Sequence, residues 1–204
     1  MNDQSYKGFI DLFPTRVHKY QVGQHLINAA LSGLADTAAG FQYIEVFNDP
    51  QFLDLQAEVE KRAQPICPST SRTAKWKVVS SWLNNQSPNE KGFGFHNHAD
   101  AFVSAVLYLK GSDMSLSFRD EAKEAKAIDA ENKDFDIVIR HTWNQDATIP
   151  VDVGDLIFFP SHLLHQPNHN TTDENRVSIA YNLMPCRQNG PNSAPWSMAL
   201  ELDT

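Results

Sequence analysis

At 204 residues the chain can form one domain with a substantial core, and 41% hydrophobic against 21% charged residues is an ordinary globular balance. A net charge of −8, with no basic cluster or stacked-aromatic motif, argues against nucleic acid as a partner, because phosphate binding needs a basic face. No apolar run is long enough to span a bilayer, and Met1-Asn2-Asp3-Gln4-Ser5-Tyr6-Lys7 lacks the basic-then-apolar pattern of a secretory signal. Cys67 and Cys186 form no disulfide framework, so a reducing, cytoplasmic setting is expected.

In chain order, residues 8–20, with Phe9, Ile10, Leu12, Phe13, Pro14 and Val17, read as a short strand or extended lead-in. Leu26, Ile27, Ala30, Leu31 and Leu34 recur at helical spacing and predict a helix within 23–39. Asn48-Asp49-Pro50 is a helix start with proline in the first turn, and Phe52, Leu53, Leu55 and Val59 supply an apolar face to about Ala63. Pro65 and Pro68 end that pattern.

From Ala74 the character turns to β. Lys75 to Asn84 is rich in strand formers, and further strands are expected near 92–98, 102–110, 114–119, 135–143, 147–152, 155–160, 163–167 and 175–184. Val153-Gly154-Asp155 marks a tight turn, and Leu156-Ile157-Phe158-Phe159 reads as a strand buried on both faces. Many short strands with turns between them predict a mainly β jelly roll, a cupin-like double-stranded arrangement with N-terminal helices. The chain reads as a single domain over 1–204: helical support in 1–73, a jelly-roll core in 74–184 and a tail in 185–204. The charged, Ala-rich stretch 120–134 is a solvated loop or short surface helix on the plain reading, and a lid over a site on the sharper one.

Alternation along the strands carries more. On 175–184, Arg176, Ser178, Ala180 and Asn182 oppose Val177, Ile179, Tyr181 and Leu183. On 102–110, Phe102, Ser104, Val106 and Tyr108 oppose Val103, Ala105, Leu107 and Leu109. Polar faces turned to water explain any one strand. They do not explain why those faces carry His, Arg, Ser, Tyr and Asn with almost no Lys or Glu. The polar faces are therefore expected to line the inside of a barrel, with the helices covering the apolar faces.

Two fragments then resemble halves of one site. His96-Asn97-His98 lies within Gly92-Phe93-Gly94-Phe95-His96-Asn97-His98-Ala99-Asp100, and His165 is followed by Arg176-Val177-Ser178. A histidine pair at i, i+2 on a strand shares one face, and a distant histidine completes a three-point facial site that leaves positions open on a metal. Arg176 can grip a carboxylate bidentately, Ser178 on the same face can add a hydrogen bond, and Tyr108 can donate from a neighbouring strand. His162 and His169 are given no role. Trp82 and Asn84 share a face that can line the substrate side of the cavity, although a core role is the readier expectation for Trp82.

The segments Ser80-Ser81-Trp82-Leu83-Asn84, His96-Asn97-His98, Ser104 to Leu109, Gly154 to Ser161, His165 and Arg176 to Asn182 resemble the 2-oxoglutarate- and iron(II)-dependent oxygenases, closest to a group of small bacterial and phage members. Leu12-Phe13-Pro14-Thr15 looks like the opening of that group. The resemblance implies a double-stranded β-helix, iron(II), and 2-oxoglutarate and O2 as co-substrates. By position it carries metal ligation to His96, His98 and His165, and co-substrate binding to Arg176, Ser178 and Tyr108. The superfamily usually has His-x-Asp or His-x-Glu where this chain has His96-x-His98, so a second register, His98, Asp100 and His165, stands beside the first. The first is preferred, because the downstream strand aligns with it.

The expected activity is a dioxygenase that hydroxylates a small molecule or a peptide or prolyl residue, releasing succinate and CO2. A cupin-like metalloenzyme that uses three histidines and ignores 2-oxoglutarate is the rival enzyme, and a non-enzymatic jelly-roll binding module is the rival of another class. The sequence leaves open a homodimer formed through an edge strand or through 185–204.

Overall fold

The β character expected beyond Ala74 is realised as two antiparallel sheets facing each other. The computed structural model describes residues 15–32, 34, 42–66, 74–119, 146–188 and 196–198. The expectations for 12–14, Cys67, 120–134 and a strand near 135–143 lie outside these residues.

The elements, in chain order, are β1 (His18–Gln21), α1 (Gln24–Ser32), β2 (Gln42–Glu45), a 3-10 turn (Pro50–Phe52), α2 (Leu53–Ala63), β3 (Ala74–Gln86), β4 (Val103–Lys110), β5 (Met114–Arg119), β6 (Ala147–Val151), β7 (Asp155–Pro160), β8 (Leu164–Pro167), β9 (Arg176–Gln188) and β10 (Trp196–Met198). The larger sheet runs β1-β7-β4-β9-β3-β2, with β10 also on β9, and the smaller runs β6-β5-β8. Strands far apart in sequence are neighbours, so a segment that enters one sheet returns through the other. This is a double-stranded β-helix.

Local chemistry explains the helices. The Asp49 side chain accepts the Gln51 N–H at 2.9 Å, and Pro50 occupies the first turn, where its missing N–H costs nothing. One face of α2 then buries Leu55, Val59 and Ala63, and α1 buries Ile27 and Ala30. Both pack on Leu107, Ile179 and Leu183 in one apolar cluster outside the larger sheet. Residues 33 and 35–39 of the helix expected over 23–39 lie outside the described residues.

The two faces of β4 and β9 separate as their alternation predicts. Val177, Ile179 and Leu107 are buried under the helices, whereas Tyr108, Ser178, Arg176 and Asn182 line the space between the sheets. β7 shows why its sequence is apolar throughout: Leu156 and Phe158 enter the helix-side cluster, Ile157 and Phe159 the cluster between the sheets. The turn into β7 needs Gly154, whose φ of +89° is a backbone conformation that residues with a Cβ rarely adopt.

Three differences from expectation are local. Residues 92–98 form no strand; they are an irregular segment with an isolated bridge, His96 to His165. The glycines at 92 and 94 weaken regular pairing there. β2 and β10 were not expected, and both are short strands whose pairing rests on long partners, β3 and β9.

Candidate active site

His96, His98 and His165 converge, one ring nitrogen from each lying within 4.8 Å of the other two. Two sheets build this cluster. His165 stands on β8, and the segment carrying His96 joins that sheet by reciprocal backbone bonds, His96 N to His165 O at 3.1 Å and His165 N to His96 O at 2.9 Å. Two residues on, the His98 N–H donates to the Ser161 carbonyl at 2.9 Å, at the end of β7. The i, i+2 pair thus faces one way although no strand carries it.

Each imidazole is oriented through Nδ1. That atom donates to the Gly94 carbonyl in His96 at 2.8 Å, to Asn182 Oδ1 in His98 at 2.6 Å, and to the Leu163 carbonyl in His165 at 3.0 Å. All three acceptors are carbonyl oxygens, so the proton sits on Nδ1 and the Nε2 lone pair is free. Three histidines with ring nitrogens within 4.8 Å of one another and Nδ1 already engaged suit a divalent metal ion, and the second-nitrogen bonds are the usual means of fixing the tautomer. Asn182 is itself held: Ser104 Oγ donates to its Oδ1 at 3.2 Å and lies 2.9 Å from Ser161 Oγ. The Trp82 ring stacks on His98 at 5.3 Å.

Burial disfavours the charged form of His98 and His165. His98 is held below the usual histidine range chiefly by desolvation, and the neighbouring His96 adds to this. His165, 3% exposed, is pushed down to about 3, again chiefly by burial. The sign follows: the unfolded chain binds a proton at His165 that the fold refuses, so stability is full above about pH 6.5 and falls as the pH drops toward 3. The metal-free protein is therefore expected to show a urea midpoint that declines between pH 6.5 and 4, and His165→Gln is expected to flatten that decline.

The cavity reached by these histidines has a volume of about 470 Å³. Strand register arranges its floor in rows. Gln86 lies opposite Arg176; Asn84, Ser178 and Tyr108 form the next row; Trp82, Ala180 and Val106 follow; Ser80, Asn182 and Ser104 are the last, beside the histidines. Polar groups thus occupy both ends and an apolar row separates them. That order matches a short dicarboxylic acid with a methylene chain between its ends.

Arg176 fixes one end. It is 4% exposed, and Nη1 donates to Asn168 Oδ1 at 2.5 Å, while Nη2 donates to the Asn168 carbonyl at 2.6 Å and to Gln86 Oε1. These partners are neutral, and no carboxylate pairs with Arg176 among the described residues. A buried cation with only neutral partners is a site for an anion from outside. Gly111, at φ +133°, lets the chain pass close: a Cβ there would lie 3.2 Å from Arg176 Cγ. The Tyr108 hydroxyl and Asn84 Oδ1 are buried in this region without a hydrogen-bond partner. Burial raises the Tyr108 phenol, so it remains a donor at neutral pH. The residues present therefore fit a metal ion at one end and the carboxylate of a bound acid at the other.

All six residues singled out from the sequence, His96, His98, His165, Tyr108, Arg176 and Ser178, line this one cavity. Asp100 lines it too, but it is exposed and lies outside the three-histidine cluster. Trp82 is a correction: it lines the cavity against His98 rather than filling the core, because its strand position faces inward beside Ala180. Asn84 lies in the row of Ser178, away from the histidine end. His162 is exposed, and His169 Nε2 bonds the Asn89 carbonyl at 2.8 Å, so neither joins the cluster. The sequence reading missed roles for Gln86, Asn168 and Asn182. Asn182 had a signal, since it shares the β9 face with Arg176 and Ser178; Gln86 and Asn168 meet Arg176 only in the folded chain.

The family described as "Putative 2OG-Fe(II) oxygenase" matches residues 80–182, and the chain belongs to this family. Its cofactors are iron(II) and 2-oxoglutarate. Among solved structures, the chain is similar to the non-heme alpha-ketoglutarate-dependent epimerase SnoN from nogalamycin biosynthesis, at 13% identity and TM-score 0.59, covering 93% of this chain and 91% of that one. It is similar to HygX from Streptomyces hygroscopicus, crystallised with nickel and 2-oxoglutarate, at 12% identity and TM-score 0.56, covering 90% and 86%. A Pseudomonas putida prolyl-4-hydroxylase matches at 14% identity and TM-score 0.54, covering 86% and 94%. At such identities these likenesses speak to the fold alone. No curated protein sequence matches the chain.

Proposed function

We propose that the protein is a 2-oxoglutarate- and iron(II)-dependent dioxygenase that hydroxylates a small molecule or a peptidyl residue, with His96, His98 and His165 as the iron ligands and Arg176, Ser178 and Tyr108 as the co-substrate clamp. The observation that carries this reading is the buried Arg176 guanidinium, which has only neutral partners and shares one cavity with three histidines whose Nε2 atoms are free. A cupin-like site that ignored 2-oxoglutarate would have no use for such a cation.

Iron and 2-oxoglutarate, when bound, supply the oxidation: one oxygen atom of O2 enters succinate as CO2 leaves, and the other enters the substrate as a hydroxyl group. The chain's own residues bind and orient. The Nδ1 bonds orient the three imidazoles and leave Nε2 for ligation. Arg176 neutralises the far carboxylate, Ser178 and Tyr108 offer hydroxyl donors beside it, and Val106, Ala180 and Leu116 keep the middle of the cavity apolar. The substrate side is left to Trp82, Phe93, Asn97 and the exposed Asp100.

The ligand set gives a direct test. Asp100→Ala is expected to leave metal affinity within about threefold of wild type, because an exposed carboxylate beside the cluster contributes little to it. Loss of metal binding in that variant would transfer the third ligand to Asp100. For the activity, Fe(II)-loaded protein in air is expected to convert 2-oxoglutarate to succinate slowly alone and faster with a substrate from a metabolite and peptide panel. Metal uptake without any 2-oxoglutarate binding would favour the cupin-like alternative.

A further inference from the structure

The three histidines are not equally anchored. His165 is buried within β8, and His98 is tied to Asn182 of the larger sheet. His96 is half-buried, its ring bonds only to Gly94 in its own segment, and its backbone pairing is a single bridge. A contact that braces this segment from outside the cavity would add to the backbone bonds that hold His96.

The neighbouring residue supplies it. Phe95 lies outside the cavity lining, whereas its neighbour His96 lies within it. The Arg119 guanidinium lies over the Phe95 ring, 3.9 Å from its centroid. Arg119 is in turn held as a flat fork by Asp146, Nε to Oδ1 and Nη2 to Oδ2, both at 2.8 Å. Arg119 ends β5, where the preceding Phe118 is registered against His165. The stack therefore ties the segment of His96 to the sheet that carries His165.

We propose that Arg119, oriented by Asp146 and acting through Phe95, is a positioning residue for His96 and so sets metal affinity from outside the cavity. The inference rests on the metal-site reading above. A guanidinium is suited to the role because it stacks flat on an aromatic face and bonds a carboxylate at its edge at the same time, which an ammonium cannot do.

The test is anaerobic titration of Mn(II), followed by the EPR signal of the free ion, into wild type, Arg119→Ala, Phe95→Leu, the double variant and Arg119→Lys. Arg119→Ala is expected to weaken Mn(II) binding about fivefold or more, the reach of a cation–π contact that orders a ligand. Its melting temperature should stay near that of the wild type, because the pair is largely exposed. Phe95→Leu should weaken binding similarly, the double variant no more than Phe95→Leu alone, and Arg119→Lys should recover little. Mn(II) affinity of Arg119→Ala within twofold of wild type would overturn the proposal, as would losses that add in full in the double variant. Absence of Mn(II) uptake by the wild type would overturn the metal-site reading itself, and this inference with it.

Discussion

Arg176→Ala is expected to weaken 2-oxoglutarate binding about 30-fold or more, since removing one partner of a buried charge pair costs about 2–5 kcal/mol and each 1.4 kcal/mol is tenfold. The cause lies in the pocket's design. Asn168 and Gln86 hold the guanidinium with neutral oxygens, so its charge is uncompensated until an anion arrives. Metal affinity should be unchanged, because the arginine lies at the end of the cavity away from the histidines in strand register. Arg176→Lys should recover only part of the loss: an ammonium keeps the charge, but its three donors would all be needed to replace the bonds to Asn168 and Gln86, whereas the guanidinium has two of its five to spare. Calorimetric titration of 2-oxoglutarate into the Mn(II)-loaded variants, without oxygen, reads both effects. Equal affinity in wild type and Arg176→Ala would remove the clamp from the account.

The second large effect belongs to His165. His165→Ala is expected to lower metal affinity at least about 100-fold, because loss of a ligand should exceed the 10–100-fold cost of losing a residue that only supports one. This ring is the most buried of the three and packs 4.5 Å from Phe159, so alanine also leaves a cavity. His165→Gln separates the causes: it fills most of the volume but offers no imidazole. Metal affinity lost in both variants, with stability restored in the second, assigns the effect to ligation. Retained metal affinity in His165→Gln would show that the site closes without this residue.

Much of this arrangement is legible in the sequence, and the reason is the period of two. Arg176, Ser178 and Asn182 on one face, and Val177, Ile179 and Leu183 on the other, already separate cavity from core, and the structure keeps that division. The pairing of His96 and His98 was legible as well, although for an imperfect reason. Residues 92–98 are not a strand, and the two rings face together because His96 bridges β8 while His98 reaches β7 and Asn182. Trp82 shows where local pattern ends: a large aromatic suggests a core, and only the register with Ala180 reveals an inward face. Gln86 continues the period-two face of Trp82 and Asn84, whereas Asn168, Phe95 and Arg119 left no such signal. Their partners are side chains from other elements, and no spacing along the chain encodes such contacts.

In the proposed enzyme, iron at His96, His98 and His165 shares one cavity with a 2-oxoglutarate whose far carboxylate meets Arg176. The most direct measurement of this is visible absorption during anaerobic addition of 2-oxoglutarate to the Fe(II)-loaded protein. The wild type should develop a charge-transfer band that saturates with 2-oxoglutarate, His165→Ala should develop none, and Arg176→Ala should develop the same band only at much higher 2-oxoglutarate. A wild type that binds Fe(II) without any band, or an Arg176→Ala curve superimposed on that of the wild type, would contradict it.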